Sequence, residues 1–189
     1  MAKRVLVLLG SPRKNGNSEI LAKKVIKGVE SAGAKVESFH LSEMAIAPCD
    51  ACGACQKRAA TGCVGKDDMQ ILYPKLRAAD AIVIASPIYF FSVSAQTKLF
   101  LDRWYALQGR AGNPLAGKKI GILLTYGDAD AIVSGAVNAI NMFRDIFNYL
   151  HVEIVGIVHG SAWRAGEIKE NPALLKEAYA LGRKLGSEN

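Results

Sequence analysis

The sequence predicts one α/β domain, with a doubly wound sheet of five parallel strands and helices on both faces. Short apolar runs alternate with longer segments of helical periodicity, which is the pattern of strands joined by crossover helices. Half of the 189 residues are apolar, and neither a linker rich in Pro, Gly or Ser nor a block of charge divides them. We therefore expect residues 1–189 to form a single domain around one sheet.

The five expected strands are short, mainly apolar runs, as in parallel strands that helices cover on both faces. They are residues 5–9, 36–39, 81–85, 120–126 and 154–159. Right-handed crossovers leave few topologies for them. Ligands of such sheets bind at the carboxyl ends of strands near the switch in strand order. The loops after the first, third and fourth strands therefore form the candidate site.

Helical periodicity covers residues 19–31, 95–107, 131–150 and 172–185. The last helix has Asn171 as its expected N-cap and Pro172 at its first position. A further helix is expected over residues 67–79, where Pro74 would kink the helix or mark its start.

The charge distribution narrows the class of partner. The formal net charge is +7, but Lys and Arg are spread along the chain among acidic neighbours. This argues against a continuous basic stripe that would bind nucleic acid. The positive net charge would still attract anionic substrates. No apolar stretch has membrane-spanning length, and the run after Arg4 stops at Gly10, too early for a secretory signal. We expect a cytoplasmic protein that binds neither nucleic acid nor membrane.

The loop after the first strand has the composition of an anion-binding loop. Residues 10–18 read G-S-P-R-K-N-G-N-S and lead directly into a helix. Backbone N–H groups, hydroxyls and the positive end of the helix dipole favour a phosphate there. The spacing fits neither a P-loop, where a Lys would stand in place of Asn17, nor the dinucleotide pattern G-x-G-x-x-G. The loop therefore suits a terminal phosphate held without Mg²⁺.

Two further loops carry aromatic residues. Residues 86–94 read S-P-I-Y-F-F-S-V-S, and residues 125–128 read T-Y-G-D. At a sheet edge they offer a flat apolar wall for a planar ring, although such aromatics also serve packing and subunit contacts. A phosphate at one loop and a ring at the next two describe a mononucleotide, and the absence of a motif for Mg²⁺ favours a flavin. A receiver domain is excluded, because Gly10-Ser11 and Ser86-Pro87 stand where it needs acidic residues.

With these motifs the chain resembles the NADPH-dependent FMN reductases of the flavodoxin-like fold, whose strand order is 2-1-3-4-5. The resemblance covers most of the chain to about Gly127. The matching motifs are Gly10-Ser11-Pro12-Arg13 with Asn17-Ser18, then Ser86-Pro87-Ile88-Tyr89, then Phe100-Leu101-Asp102-Arg103. Asp102-Arg103 is not assigned a role in the site, since a helix-borne ion pair is more often structural than catalytic.

The resemblance implies which residues hold FMN. The phosphate would be bound by Ser11, Arg13, Asn15, Gly16, Asn17 and Ser18. The ring would be bordered by Pro87, Ile88, Tyr89, Phe90, Phe91, Ser92, Tyr126 and Gly127. No catalytic side chain is expected, because the flavin carries the chemistry. NAD(P)H would reduce the flavin and leave, and a quinone, nitro compound or free flavin would take its place in a ping-pong cycle.

All four cysteines lie in one expected insertion at about residues 46–66. The spacing is C-x2-C-x2-C-x7-C, formed by Cys49, Cys52, Cys55 and Cys63. Three thiolates at two-residue intervals suit an iron–sulfur cube better than a structural zinc ion, while inert thiols or a redox-active dithiol stay open. Because Asp67-Asp68-Met69 follows, the motif resembles that of the iron-sulfur flavoproteins within the family. This implies a conditional 4Fe-4S cluster.

A cluster would change the expected partners. The protein would then exchange electrons with a ferredoxin, and Lys57, Arg58 and Lys66 could attract its acidic surface or merely keep the loop soluble. The resemblance also implies a homodimer or homotetramer. Trp163 could reach the flavin of a neighbouring subunit, whereas His40, His151 and His159 are interpreted as structural.

Overall fold

A parallel sheet forms the centre of the computed structural model, which describes residues 2–57, 62–108 and 112–187. The order of its parallel strands is β2-β1-β3-β5-β6, and β4 adds a short antiparallel hairpin to β3. Without the hairpin strand this is the predicted order 2-1-3-4-5, so the fold class is confirmed. The strands are β1 (Arg4–Leu9), β2 (Lys35–His40), β3 (Ala81–Tyr89), β4 (Ser92–Val93), β5 (Lys119–Tyr126) and β6 (Glu153–Ser161).

Helices cover both faces of the sheet. They are α1 (Asn17–Ser31), α2 (Ala54–Lys57), α3 (Met69–Ala78), α4 (Ala95–Asp102), α5 (Ala136–Tyr149) and α6 (Pro172–Gly186). Short 3₁₀ segments span Leu41–Glu43, Arg103–Leu107 and Glu167–Glu170. In the described part of the chain, no helix combines the length and hydropathy needed to cross a bilayer.

The alternation of side chains along the strands divides the core into two layers. Leu6 and Leu8 of β1 pack with α3, α4 and α5, where Phe143 and Phe147 are fully buried. Val7 of β1 faces the opposite way and packs with α1 and α6. The central strands β1, β3 and β5 are therefore buried on both faces, as their apolar sequences predicted, whereas the edge strand β2 is partly exposed.

Helices α1 and α6 cross at closely apposed glycines. A Cβ atom on Gly28 would lie 2.2 Å from the carbonyl oxygen of Tyr179, and one on Gly182 would lie 2.1 Å from that of Val25. Only residues without a side chain fit at this distance. The crossing holds α1, and with it the loop that precedes it, against the sheet.

Three helix boundaries differ from the sequence prediction. Helix α3 begins at Met69, so the exposed Pro74 lies within it and does not mark its start. Helix α4 ends at Asp102, and the expected helix continues only as 3₁₀ turns. Helix α5 begins at Ala136, because Gly135 at φ +73° and a turn capped by the Asp130 carboxylate precede it.

Candidate functional site

A cleft of about 480 Å³ opens at the carboxyl edge of the sheet. It lies between the loop after β1, the end of β3, the end of β5 and the segment after β6. Its lining residues are Ser11, Arg13, Gly16, Asn17, Ser18, Pro87, Ile88, Tyr89, Thr125, Tyr126, Gly127, Ala162, Trp163, Arg164 and Ala165. The site therefore forms where the switch in strand order predicted it.

The start of α1 closes one end of the cleft. Gly16 stands at the N-cap in an extended conformation, and the first N–H groups of a helix have no partner within that helix. The Ser11 hydroxyl accepts a hydrogen bond from the N–H of Arg13 at 3.1 Å, which turns the loop back toward the helix. This end of the cleft has the polarity that a phosphate requires.

Asn15 and Glu19 stabilise the loop from behind. Asn15 has a positive φ of 56°, and its N–H donates to the Glu19 carboxylate at 2.6 Å. Lys23 pairs with the same carboxylate at 2.8 Å and donates to the Asn15 amide oxygen at 2.8 Å. Burial acts to raise the pKa of Glu19, but the hydrogen bonds from Lys23 and Asn15 outweigh it and hold the pKa below its usual value. Asn15 thus shapes the loop and does not line the cleft.

Asn17 joins two walls of the cleft. Its amide nitrogen donates to the carbonyl oxygens of Ala162 at 3.0 Å and Arg164 at 2.9 Å, and its amide oxygen accepts from the N–H of Ile168 at 3.3 Å. Because both side-chain N–H groups have partners in the protein, a phosphate at this loop would meet the backbone N–H of Asn17 and not its side chain.

Buried hydroxyls attach the β3–β4 hairpin to the anion-binding loop of residues 10–18, which we call the phosphate loop. Ser86, Ser94 and Thr97 are fully buried. The N–H of Ser94 donates to the Ser86 hydroxyl at 3.0 Å, and the Ser94 hydroxyl donates to the carbonyl oxygen of Gly10 at 2.6 Å. A side chain at Gly10 would collide with Thr97, since its Cβ would lie 1.9 Å from the hydroxyl oxygen. The two loops therefore keep a fixed separation.

The predicted aromatic wall is only partly in the cleft. Tyr89 lines it, but Phe90 and Phe91 form the two-residue turn of the hairpin, with φ of 46° and 66°. Phe90 is 97% exposed, and Phe91 packs on Gly135, where an added Cβ would lie 2.6 Å from the Phe91 Cβ. Phe90, Phe91 and Ser92 therefore lie outside the lining of the cleft.

Trp163 and Tyr126 form the opposite wall. The Trp163 ring lies over Gly127, whose Cβ, if present, would be 2.3 Å from the ring. The Tyr126 hydroxyl hydrogen-bonds to Nδ1 of His159 at 3.1 Å, and burial raises the pKa of Tyr126. The structure places Trp163 in the cleft of its own chain, whereas the sequence suggested a neighbouring subunit.

The sequence found most of the lining but missed the segment after β6. Ala162, Arg164 and Ala165 were not predicted, and Thr125 of the predicted loop after β5 lines the cleft although it was not named as a site residue. The available signal was the run of small residues at 160–162 before Trp163, because the last parallel strand ends at the same edge as the others.

The cysteine loop is closed at its base by two consecutive carboxylates. Asp68 accepts from the N–H of Ala45 at 2.7 Å, and its own N–H donates to the Ala45 carbonyl oxygen at 3.1 Å. Asp67 accepts from the N–H of Ala47 at 3.0 Å and forms a bidentate ion pair with Arg103. We call this set of contacts the neck of the cysteine loop. It gives a structural role to Asp67-Asp68. Arg103 pairs with Asp67, and its neighbour Asp102 pairs with Lys98.

The thiols differ in exposure. Cys49 and Cys52 are exposed, Cys55 is buried against the core, and Cys63 is half-buried. Cys49 and Cys63 line one cavity of about 410 Å³ together with Arg103, while residues 58–61 of the loop, including the predicted Arg58, lie outside the described residues. Within the described ranges, no group of three His, Cys, Asp or Glu side chains is close enough to hold a metal ion. The number and chemistry of the thiols fit a cluster, which would draw them together.

Fold and cleft define a flavodoxin-like protein with a small-molecule cleft at the carboxyl edge of its sheet. The chain belongs to the NADPH-dependent FMN reductase family, whose model matches residues 3–163. It is thus a flavin-dependent NAD(P)H oxidoreductase.

Relatives and solved structures agree with this membership. The chain is 33% identical to an iron-sulfur flavoprotein from Archaeoglobus fulgidus over 178 residues, covering 94% of this chain and 76% of the relative. It is 34% identical to an iron-sulfur flavoprotein from Methanosarcina thermophila over 170 residues, covering 90% and 84%. An NAD(P)H:quinone oxidoreductase from Methanothermobacter marburgensis shares the fold, with a TM-score of 0.78, 18% identity and full coverage of both chains.

Proposed function

We propose that this protein uses FMN to take electrons from NAD(P)H and deliver them to a quinone, a flavin or another small acceptor. The observation that carries the proposal is the cleft in which the phosphate loop faces the wall formed by Tyr126 and Trp163. Its volume of about 480 Å³ lies within the range of about 300–1,000 Å³ that is usual for small-molecule sites.

The chain supplies binding and orientation. The start of α1 and the Arg13 guanidinium would bind the phosphate, and the rings of Tyr126 and Trp163 would hold a planar ring at the other end. The backbone N–H of Gly127 would stabilise negative charge on that ring. When bound, FMN supplies hydride acceptance and the transfer of electrons singly or in pairs.

Donor and acceptor would use the open side of the cleft in turn. Tyr89 and Trp163 border the opening and are 38% and 74% exposed, so both are accessible to an incoming molecule. Shared use of one opening by the two substrates predicts ping-pong kinetics.

A second candidate function is that of an iron-sulfur flavoprotein, with FMN and a 4Fe-4S cluster that exchanges electrons with a ferredoxin. Four cysteines on one loop closed at its neck favour it, as do the two relatives with that name. Cys49, Cys52, Cys55 and Cys63 would be the ligands. The exposed Lys57 would favour an acidic partner.

We also propose that the protein is a homodimer or homotetramer. Large apolar side chains near the cleft are exposed, among them Phe90 at 97%, Ile132 at 78% and Val133 at 58%. A second copy of the chain would remove this surface from water.

One anaerobic preparation tests these functions. Its FMN, iron and sulfide contents are measured, followed by the rates of flavin reduction by NADH, NADPH and a reduced ferredoxin, and the elution volume on gel filtration. Near-stoichiometric FMN with fast reduction by NAD(P)H supports the reductase. Near-stoichiometric iron and sulfide, with faster reduction by ferredoxin, favours the second candidate.

The phosphate site is tested by Arg13→Ala in the same preparation. Loss of a charge-assisted hydrogen bond of about 1.5–3 kcal/mol should raise the Kd for FMN by at least about tenfold. The control Arg183→Ala removes an exposed guanidinium of α6 and should leave the Kd unchanged. An unchanged Kd in Arg13→Ala would place the phosphate elsewhere.

A further inference from the structure

Arg103 is buried at the base of the cysteine loop but belongs to a different part of the chain. It follows α4 directly and is 3% exposed. One guanidinium nitrogen donates to the carbonyl oxygen of Ala47 at 2.7 Å, and the group also binds both carboxylate oxygens of Asp67. Arg103 thereby contacts the entry and the exit of the loop at once.

The Arg103 backbone is fixed as well. The buried Tyr73 hydroxyl donates to the Arg103 carbonyl oxygen at 3.0 Å. Side chain and backbone are therefore both restrained, so the guanidinium has one orientation relative to α3 and the loop. A long side chain without such restraints would sample many rotamers and would not hold its charge in one place.

The guanidinium also lies beside the sulfur of Cys63. A Cβ placed on Gly65 would be 3.0 Å from Nη2 of Arg103 and 3.5 Å from Sγ of Cys63, so both groups border the same position. The N–H of Gly65 donates to the same sulfur at 3.3 Å. The guanidinium group of arginine stays protonated in proteins, so the positive charge is permanent.

We propose that Arg103 is the positioning residue of the cysteine loop, which it closes at the neck while holding a positive charge against the Cys63 sulfur. This rests on the proposed cluster for its redox consequence. A cluster gains one negative charge on reduction, and hydrogen bonds and positive charge at a ligand sulfur favour the more negative state. Arg103 thus raises the reduction potential of a cluster bound by Cys63.

The test compares Arg103→Lys, the double variant Asp67→Asn with Arg103→Gln, and the control Asp102→Asn. The double variant removes both buried charges and leaves an amide pair, which avoids an unpaired carboxylate that could unfold the protein. Asp102 is adjacent in sequence but pairs with Lys98 at 2.5 Å on the surface. Iron and sulfide are counted first, then the midpoint potential is measured by EPR-monitored titration, and hydrogen exchange is followed at the amides of Ala45, Ala47 and Asp68.

In the double variant the lost guanidinium lies beside the Cys63 sulfur, whereas the lost carboxylate contacts the guanidinium. Loss of the positive charge should therefore outweigh loss of the negative charge. We expect the ratio of reduced to oxidised cluster, measured at the wild-type midpoint, to fall several-fold, where a tenfold fall corresponds to about 59 mV for one electron. Exchange at the neck amides should accelerate at least about tenfold. Arg103→Lys keeps a positive charge, so its midpoint potential should lie between those of the double variant and the wild type. Asp102→Asn should match the wild type in both measurements.

Wild-type potential and wild-type exchange in the double variant would overturn the proposal. A wild-type protein without iron would instead reject the proposed cluster, and with it the effect on potential. Amide exchange in the protein without a cluster then decides whether Arg103 closes the neck.

Discussion

Asn17 holds two parts of the cleft together, a role that its position in the phosphate loop did not predict. Its side chain connects the start of α1 to residues 145 and 147 positions further along the chain. The sequence showed an amide in an anion-binding loop, which is a reasonable phosphate ligand. It could not show partners so distant, because they meet Asn17 only when β1 and β6 lie in one sheet.

Replacing Asn17 with Ala should therefore affect the cleft through its geometry. The change removes three hydrogen bonds and leaves the carbonyl oxygens of Ala162 and Arg164 without this donor. We expect the free energy of unfolding to fall by about 1–3 kcal/mol. The Kd for FMN should rise, because the segment that carries Trp163 is no longer attached to α1.

Urea denaturation and FMN titration measure the two effects. Asn148→Ala, at an exposed position of α5, is the matched control and should change stability by about 0.5 kcal/mol or less. If Asn17→Ala behaves like the control in both experiments, its side chain does not hold the cleft together.

At the scale of the elements, the β3–β4 hairpin is the unusual part of the fold. Two-residue hairpin turns with positive φ normally contain Asn or Gly, yet here both positions are Phe. Each non-glycine residue in this conformation costs about 1–2 kcal/mol. The two phenylalanines are not equivalent, because Phe91 packs on Gly135 while Phe90 points into solvent.

Phe90→Asn should therefore stabilise the isolated chain. Asn tolerates the left-handed conformation, and an almost fully exposed ring contributes little packing, so the free energy of unfolding should rise by about 0.5–1 kcal/mol. Chemical denaturation at low protein concentration measures it. Phe91→Asn should gain nothing, since relief of strain is offset by the lost contact with Gly135. A gain of the same size in both variants would refute the distinction between the two positions.

Most elements were predictable because their patterns are local. Apolar runs identified the five parallel strands, and Asn171 with Pro172 identified the start of α6. The hairpin was missed because β propensity does not foresee two Phe residues in a turn. The contribution of Trp163 to its own cleft was missed because it depends on where β6 ends relative to β5.

At the scale of the whole molecule, two partly buried carboxylates lie on opposite faces of the sheet. Glu19 belongs to α1 on one face, and Asp67 precedes α3 on the other. For both, burial opposes ionisation, but hydrogen bonds from Lys23 and Arg103 respectively lower the pKa. Because a domain of this size usually unfolds as a unit, both carboxylates contribute to one free energy of unfolding.

The lowered pKa values of these two carboxylates predict how the free energy of unfolding depends on pH. A carboxylate with a lowered pKa in the folded state contributes stability above its unfolded value, here 4.5 for Glu19 and 3.8 for Asp67. That contribution is lost as the pH falls through the lower folded values. The free energy of unfolding should therefore decline below about pH 4. The decline should be shallower in the triple variant Glu19→Gln, Asp67→Asn and Arg103→Gln, which removes both carboxylates without leaving the buried Arg103 charge unpaired.

Denaturant unfolding at several pH values between 7 and 3 measures the slope, and Glu170→Gln at an exposed site serves as the control. An equally steep decline in the triple variant would show that other groups dominate the acid transition.

The neck of the cysteine loop has a consequence for how this protein family can evolve. Ala45 and Asp68 are joined by backbone and side-chain hydrogen bonds, so the two ends of the cysteine loop lie next to each other. A segment with adjoining ends can be shortened, lengthened or exchanged for a plain turn with little change in closure entropy. The thiols lie on a segment whose ends meet away from the nucleotide cleft, so lineages could gain or lose them while that cleft stays the same.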